Sequence, residues 1–265
     1  MILLTIAIPT YNRLEYLKEL LPRLLKQCEP YPEIEVLVSD NCTTDGTFQY
    51  VRDVSAINSQ VRYRRNFTNV GGDENFVLCV ESAHGEYVWL FSDDELLCDG
   101  AIETVITILK KFPVSLLIVG LGLESESPWT GTYAEFIKNN KPQTIINQAL
   151  LTCNIFKKSL FDTTIARARS PTKFGHFAHV YAIIDSLKER GLVYVTNSPV
   201  FTVRPTRASN QQKMKFIRLK YIELLLYVGV SYPRILHYIC FGLIWASILR
   251  QIHKLQRIYN GKIIV

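Results

Sequence analysis

The chain opens on an apolar run, Leu3 to Ile8, rich in β-branched side chains and ended by Pro9. A short continuous run of this kind, closed by a turn signal, predicts a strand buried on both faces. Beyond Asn12, leucines recur at helical spacing through Leu25, which predicts a helix; Pro22 inside it is expected to end it early or bend it. The rhythm then repeats. Ile34 to Ser39 reads as a second strand stopped by Asp40-Asn41, and Asp45-Gly46 introduces a helix through about Ala56. Val61 to Arg65 predicts a third strand, Glu74 to His84 a helix, and Tyr87 to Ser92 (YVWLFS) a fully buried strand ending at Asp93-Asp94-Glu95. Gly100 to Lys111 reads as a helix and Val114 to Val119 as another buried strand. This alternation predicts an α/β fold, a mostly parallel sheet flanked by helices on both faces. Ligands of such sheets sit at the carboxyl ends of the strands.

The pattern loosens over residues 124 to 209, where SESPWTGT and SPTKFGH read as loops and Leu192 to Thr196 as a strand. Loops of this kind are where substrate-specific contacts are expected. From Gln211 onward the sequence is helical, and apolar stripes interleave with Lys213, Lys215, Arg218, Lys220, Arg234, Arg250, Lys254 and Arg257. The run Ile235 to Leu249 contains His237 and falls short of the roughly 20 apolar residues a spanning helix needs. A helix lying on a membrane, or packing back on the domain or on a second subunit, is the expectation. The chain therefore divides into a catalytic domain, residues 1–209, and an amphipathic helical C-terminal segment, residues 210–265.

Composition adds limits. A chain of 265 residues and 30.4 kDa suits one domain with an appendage, and 48% hydrophobic with 20% charged residues leaves no segment with the signature of disorder. The net charge of +6 would suit a polyanion, an anionic membrane or a phosphorylated substrate alike. Six scattered cysteines without a C-x-x-C pair argue against a zinc site or a disulfide scaffold and for reduced thiols. MILLTIAIPTYN lacks a basic n-region and a cleavage site, so it reads as a core strand and not as a signal peptide.

Three polar clusters follow predicted strands: Pro9-Thr10-Tyr11-Asn12-Arg13, Asp40-Asn41 and Asp93-Asp94-Glu95. In a parallel sheet they converge on one edge, and carboxylates crowded there repel one another unless a cation intervenes. The acidic triplet is either a hard oxygen site for Mg²⁺ or Mn²⁺ bridging a diphosphate, or a helix start where acids favour the dipole. Asp40 either accepts hydrogen bonds from a base or ribose, or caps the turn after it. Thr10, Asn12 and Arg13 alternatively form an ordinary helix cap. Asn69 to Asn75 combines a turn with a helix start.

Together these clusters resemble the family-two inverting glycosyltransferases of the A-type fold. The resemblance lies in TIAIPTYNR, VLVSDNCTTDGT, the N-x-G-x-x-x-N run from Asn69 to Asn75, and GEYVWLFSDDELL. The wording GGDENF followed by GEYVWLFSDDE is similar to the abequosyltransferase-like branch, which builds bacterial O-antigen and related surface polysaccharides. The resemblance implies that Pro9, Thr10, Asn12 and Asp40 hold the nucleobase and ribose of a nucleotide-diphosphate sugar. Tyr11, Arg13, Asn41, Asn69, Gly71 and Asn75 of the same motifs join the donor site. Asp93 approaches the ribose or the metal, and Asp94 and Glu95 complete a metal site for Mg²⁺ or Mn²⁺. The family spelling ends in Asp where this chain has Glu95.

In the second half the family places Glu-Asp before a Gly, that Asp being the general base. Counting back from Gly191 puts His179-Val180 in the slot. An imidazole can take a hydroxyl proton at neutral pH, so His179 is the substitute, with His176 and Asp185 as further candidates. The implied reaction is one in-line displacement at the anomeric carbon, with inversion. The implied acceptor is a lipid-linked or oligosaccharide chain met at the cytoplasmic face of the inner membrane, and no nucleic-acid partner is expected. Two alternatives remain: a non-catalytic, membrane-associated sugar-binding or scaffolding protein, and a sugar-phosphate nucleotidyltransferase. The latter should carry a Gly-rich basic loop after the first strand, which IPTYNRLEY does not supply.

Overall fold

Every strand and helix expected in the first 120 residues forms, within a few residues of its expected ends. A computed structural model describes residues 1–120, 128–140, 145, 148, 150–162, 178–187 and 191–203. In chain order the first elements are β1 (Leu4–Thr10), α1 (Leu14–Cys28), β2 (Ile34–Asp40), α2 (Thr47–Ile57), β3 (Val61–Arg65), α3 (Gly72–Ser82) and β4 (Tyr87–Leu90). There follow β5 (Glu95–Leu97), α4 (Ala101–Lys111), β6 (Leu116–Gly120), β7 (Trp129–Thr132), α5 (Tyr133–Asn139), β8 (Asn154–Lys157), the helices Lys158–Asp162 and Ala178–Leu187, β9 (Leu192–Pro199) and β10 (Phe201–Val203).

Eight strands make one sheet in the order β3-β2-β1-β4-β8-β6-β9-β7; β5 and β10 pair antiparallel as a separate ribbon. β3, β2, β1 and β4 are mutually parallel, as the alternation predicts. The far half is mixed. β8 enters antiparallel between β4 and β6, and β7 runs antiparallel to β9. Residues alternate between two cores. Leu4, Ile6, Ile8, Val36 and Val38 face one, with α1 and α4; Ala7 and Leu37 face the other, with α3, α5 and the helix Ala178–Leu187.

The expectation that Pro22 ends the helix early is corrected: α1 continues six residues past it, to Cys28. Leu17, Leu20, Leu21 and Leu24 are completely buried, while Pro22 lies on the solvent side. A mid-helix proline costs about 3 kcal/mol, but each buried leucine returns roughly 2 kcal/mol. The stripe therefore outweighs the proline.

Gly85, in the turn into β4, packs directly against β1. A Cβ there would meet the Thr5 nitrogen at 2.5 Å, the Tyr87 oxygen at 2.7 Å and the Leu4 carbonyl carbon at 2.8 Å. All three are backbone atoms of the central strands, so relief requires moving the sheet. Gly85→Ala is expected to lower unfolding stability by roughly 2 kcal/mol, read as a shifted urea midpoint at unchanged slope. An unshifted midpoint would mean that the turn adjusts freely.

The five described cysteines are free, and burial pushes the Cys28 and Cys79 thiols up to about 12, consistent with inert core residues. Among the described residues no helix is long and apolar enough to cross a membrane. The amphipathic C-terminal helices expected over 210–265 lie outside the described residues.

Candidate active site

The sheet reverses its winding at β1: β2 and β3 lie on one side, β4 on the other. Pairing of β1 with β4 stops at Ala7 and Leu90, whereas pairing with β2 runs on to Thr10 and Asp40. One further bond, from the Phe91 amide to the Ala7 carbonyl, closes the ladder, and Pro9 has no N–H to offer. The two strands part there. Such a crevice at a switch point is where open α/β sheets bind ligands.

Side chains from both walls meet across it. The Thr10 hydroxyl donates to Asp93 Oδ2 at 2.8 Å, and Arg13 Nη1 reaches Asp93 Oδ1 at 2.8 Å and Asp94 Oδ2 at 3.0 Å. Ser92 donates to the other Asp94 oxygen at 2.6 Å. Burial pushes the Asp93 carboxyl above its usual range, against the pull of Arg13 and Thr10. Burial also works against the Arg13 charge, but Asp93 and Asp94 outweigh it and the pKa rises.

Glu95 is 6% exposed, and its Oε2 has no hydrogen-bond partner. Burial raises its pKa to about 7; a hydrogen bond from Thr152 opposes this, and the charges of Asp94 and Asp93 add to it. A buried carboxylate oxygen with nothing to accept from is costly unless something else arrives to meet it. Glu95 also opens β5, a strand absent from the reading of YVWLFSDDELL, and pairs with Val203. The triplet is thus a strand entry, and the alternative of a simple helix start does not describe it.

The neighbouring loops hold the walls in place. Asn12 sits in the left-handed region (φ 52°), and so does Cys42 after β2 (φ 66°). Asparagine tolerates that conformation better than most residues. Its Oδ1 accepts from the Thr44 amide at 2.9 Å, while Asp45 Oδ2 accepts from the Leu14 amide at 2.9 Å. The helix-cap reading of Thr10, Asn12 and Arg13 is corrected accordingly. No Arg13 side-chain cap forms, and the first turn of α1 is capped by Asp45 from the loop after β2.

Asp40 has no exposed surface. Its Oδ1 accepts from the Thr43 amide at 2.7 Å, and its Oδ2 takes the Tyr63 hydroxyl at 2.5 Å, the Thr43 hydroxyl at 3.1 Å and Arg65 at 3.4 Å. The turn-capping alternative for Asp40 is realised and extended into a buried network. Asn41 and Asn75 are buried as well. Asn41 donates to Asn69 Oδ1 and to the Gly71 carbonyl, and accepts from Asn66 and the Val70 amide. Asn75 accepts from Ser39 and Asn66, with Arg64 bonded to both of those residues.

Of the donor-site residues named from the sequence, Tyr11, Asn12, Arg13, Asn69 and Gly71 are exposed and Asp94 partly so. Pro9, Thr10, Asp40, Asn41, Asn75 and Asp93 stand behind them, buried. Asp185 is half-buried on the helix Ala178–Leu187, which packs on α3. His179 lies on the same helix with its side chain outside the described residues, and His176 lies outside them altogether.

Sequence reasoning missed Thr43, Tyr63, Arg64, Arg65, Asn66 and Thr152. For β3 a signal existed. Period-two alternation through VRYRR puts Tyr63 and Arg65 on one face and Arg64 on the other, and these are the faces on which they serve Asp40 and Asn66. Thr152 precedes an unexpected strand and carried no signal.

Hard oxygen donors suit Mg²⁺ or Mn²⁺, and the unpartnered Glu95 oxygen is the feature such an ion would satisfy. Among the described residues, however, no three carboxylate, cysteine or histidine side chains already surround a common point. Arg13 supplies the positive charge between Asp93 and Asp94. The donor set therefore fits a divalent ion in chemistry, with Arg13 standing in its way.

A mostly parallel sheet flanked by helices, with β1 at its switch point, matches the A-type glycosyltransferase fold, and solved structures share it. Staphylococcus aureus TarS 1-349 in complex with UDP superposes with a TM-score of 0.65 at 19% identity, covering 86% of this chain and 65% of that one. The mannosyltransferase PcManGT of Pyrobaculum calidifontis, in complex with GDP-Man and Mn²⁺, superposes with a TM-score of 0.61 at 17% identity, covering 87% and 66%. The family model for glycosyl transferase family 2 matches residues 5–170, and the chain belongs to that family. Abequosyltransferase RfbV of Salmonella typhimurium is 41% identical over 109 residues, 40% of this chain and 32% of that protein. The aligned part thus spans about a third of that relative's length.

Proposed function

We propose that the chain is an inverting, metal-dependent glycosyltransferase that moves a sugar from a nucleotide-diphosphate donor to a growing bacterial surface polysaccharide. The acceptor is of O-antigen type and lipid-linked. The observation that carries this is the β1/β4 crevice, where Arg13 joins Asp93 to Asp94 beside the unpartnered Glu95. The similarity to RfbV, 41% identity over 109 residues, supports the sugar-transfer reading. Exposed Tyr11, Asn12, Asn69 and Gly71 receive the nucleoside, and the buried Asp40 and Asn75 networks fix the loops that present them.

Asp94 and Glu95, with Asp93 behind them, would hold Mg²⁺ or Mn²⁺. When bound, the ion supplies Lewis-acid stabilisation of the departing diphosphate. His179, or His176 or Asp185, takes the proton of the acceptor hydroxyl as that oxygen attacks the anomeric carbon, and a single displacement inverts it. Residues 1–209 form the catalytic domain. The interleaved basic and apolar residues of the sequence 210–265 support a peripheral position on the cytoplasmic face of the inner membrane, where a lipid-linked acceptor is met.

The test is a thermal-shift screen of UDP-, CDP-, GDP- and dTDP-sugars with and without Mn²⁺, on the full chain and on Asp94→Ala. A donor at about 100 times its Kd stabilises by about 2.7 kcal/mol, a rise in Tm of roughly 5 to 10 °C for a domain of this size. One nucleotide class is expected to give that rise, only with Mn²⁺ and only in the unsubstituted protein. No rise with any donor would favour the sugar-binding or scaffolding alternative.

A further inference from the structure

The contact between Arg13 and the acidic pair has an unusual form. Arginine holds a carboxylate most firmly with two parallel N–H donors on one group. Here a single nitrogen, Nη1, touches two different carboxylates, Asp93 Oδ1 at 2.8 Å and Asp94 Oδ2 at 3.0 Å. That is the placement of a point cation between two anions. The Arg13 side chain is 44% exposed, and its guanidinium carbon already lies 5.7 Å from the ring centroid of Tyr16 on the outer side of α1. It has somewhere to go, and a second partner when it gets there.

We propose that Arg13 is a built-in counter-cation: it neutralises Asp93 and Asp94 while the crevice is empty, and it must leave them for a divalent ion to bind. This rests on the metal-dependent reading above and deepens it. Without Arg13, buried Asp93 beside Asp94 would repel its neighbour and stay desolvated with only Thr10 for support. With Arg13 in place the pair is settled, and an ion arriving alone competes with a tethered charge. Arg13 therefore sets the affinity for metal, biasing the protein against taking it up without the donor that brings a diphosphate with it. Once released, the guanidinium is free beside the crevice, where an anionic diphosphate would attract it.

The experiment measures Mn²⁺ binding to the full chain by electron paramagnetic resonance of the free ion, with Mn²⁺ alone for the comparison of variants and with UDP, CDP, GDP or dTDP added as a control. Arg13→Gln is expected to bind Mn²⁺ about tenfold more tightly than the unsubstituted protein, since a half-exposed ion pair to two carboxylates is lost as a competitor. Arg13→Lys, which keeps the charge on a looser stem, is expected to fall between them and serves if the glutamine variant does not fold. A purely structural role for Arg13 would leave the affinity unchanged or weaken it. Equal or weaker Mn²⁺ binding by Arg13→Gln overturns the proposal while leaving metal dependence standing. Failure of every protein to bind Mn²⁺, even with UDP, CDP, GDP or dTDP present, overturns both.

Discussion

Glu95→Gln is expected to lower sugar transfer roughly 100-fold while making the metal-free protein more stable at pH 8. The two effects have opposite signs because the same buried carboxylate is a liability for folding and a ligand for function. Burial raises its pKa from 4.5 to about 7 in the folded chain. Between those values the folded state holds more protons than the unfolded one, so stability falls as pH rises through the window and stays low above it. The full penalty, roughly 3 kcal/mol, is absent below pH 4 and complete by pH 8. Glutamine removes it but leaves an amide group without a partner, so the net gain at pH 8 should be about 2 kcal/mol. Urea midpoints at pH 4, 6 and 8 in chelator will read this as a difference between variant and parent that grows with pH. A pH-independent difference would mean that the charge of Glu95 is already compensated.

Asp40→Ala should have the largest stability effect of any substitution at this edge of the sheet, a loss of about 3 kcal/mol. Its carboxylate, without exposed surface, is shared by the Thr43 amide and hydroxyl, the Tyr63 hydroxyl and Arg65. Removing it leaves the buried Thr43 amide and hydroxyl and the half-buried Tyr63 hydroxyl without their acceptor at once, while Arg65 keeps solvent and the Thr43 carbonyl. Tyr63→Phe breaks only one of these bonds and should cost about 1 kcal/mol. Burial, and then the nearby Asp40 charge, hold the Tyr63 phenol protonated, so its donor role persists across the working pH range. Chemical denaturation checks both variants. If Asp40→Ala weakened donor binding with an unchanged unfolding transition, the carboxylate would be a ligand and not a support.

How far the sequence revealed this site depended on the range of the interactions. β1, β2 and β4 could be read from local apolar runs, and the clusters at their ends followed, because a strand end needs only neighbouring residues to define it. The partition of those clusters could not. Asp40 and Asp94 look alike in sequence, yet one is sealed by Tyr63 and Arg65 from the next strand while the other stays partly open. Asp45 read as a turn residue before α2, where one of its oxygens does hold Thr47, but the other caps a helix that begins 31 residues earlier. β8 was missed because Asn154–Lys157 is too short and too mixed to signal a strand alone; it owes its conformation to β4 and β6 on either side. Departures such as Glu95 and His179 were visible as departures, but only the first falls where its surroundings can be described.

The pairing of Glu95 with Val203 also bears on how the molecule is assembled. The parallel pairs β1–β2 and β2–β3 join strands about 30 residues apart, as in Leu4 with Ile34 and Val36 with Val61, whereas the strand that carries Glu95 waits for a partner more than a hundred residues further along. Long loops close slowly, so the acidic triplet should be among the last parts of the fold to reach its final shape. A nascent chain would thus possess a nucleotide-type sheet well before it possessed a complete acidic site, and a truncation removing β9 and β10 would leave the first without the second.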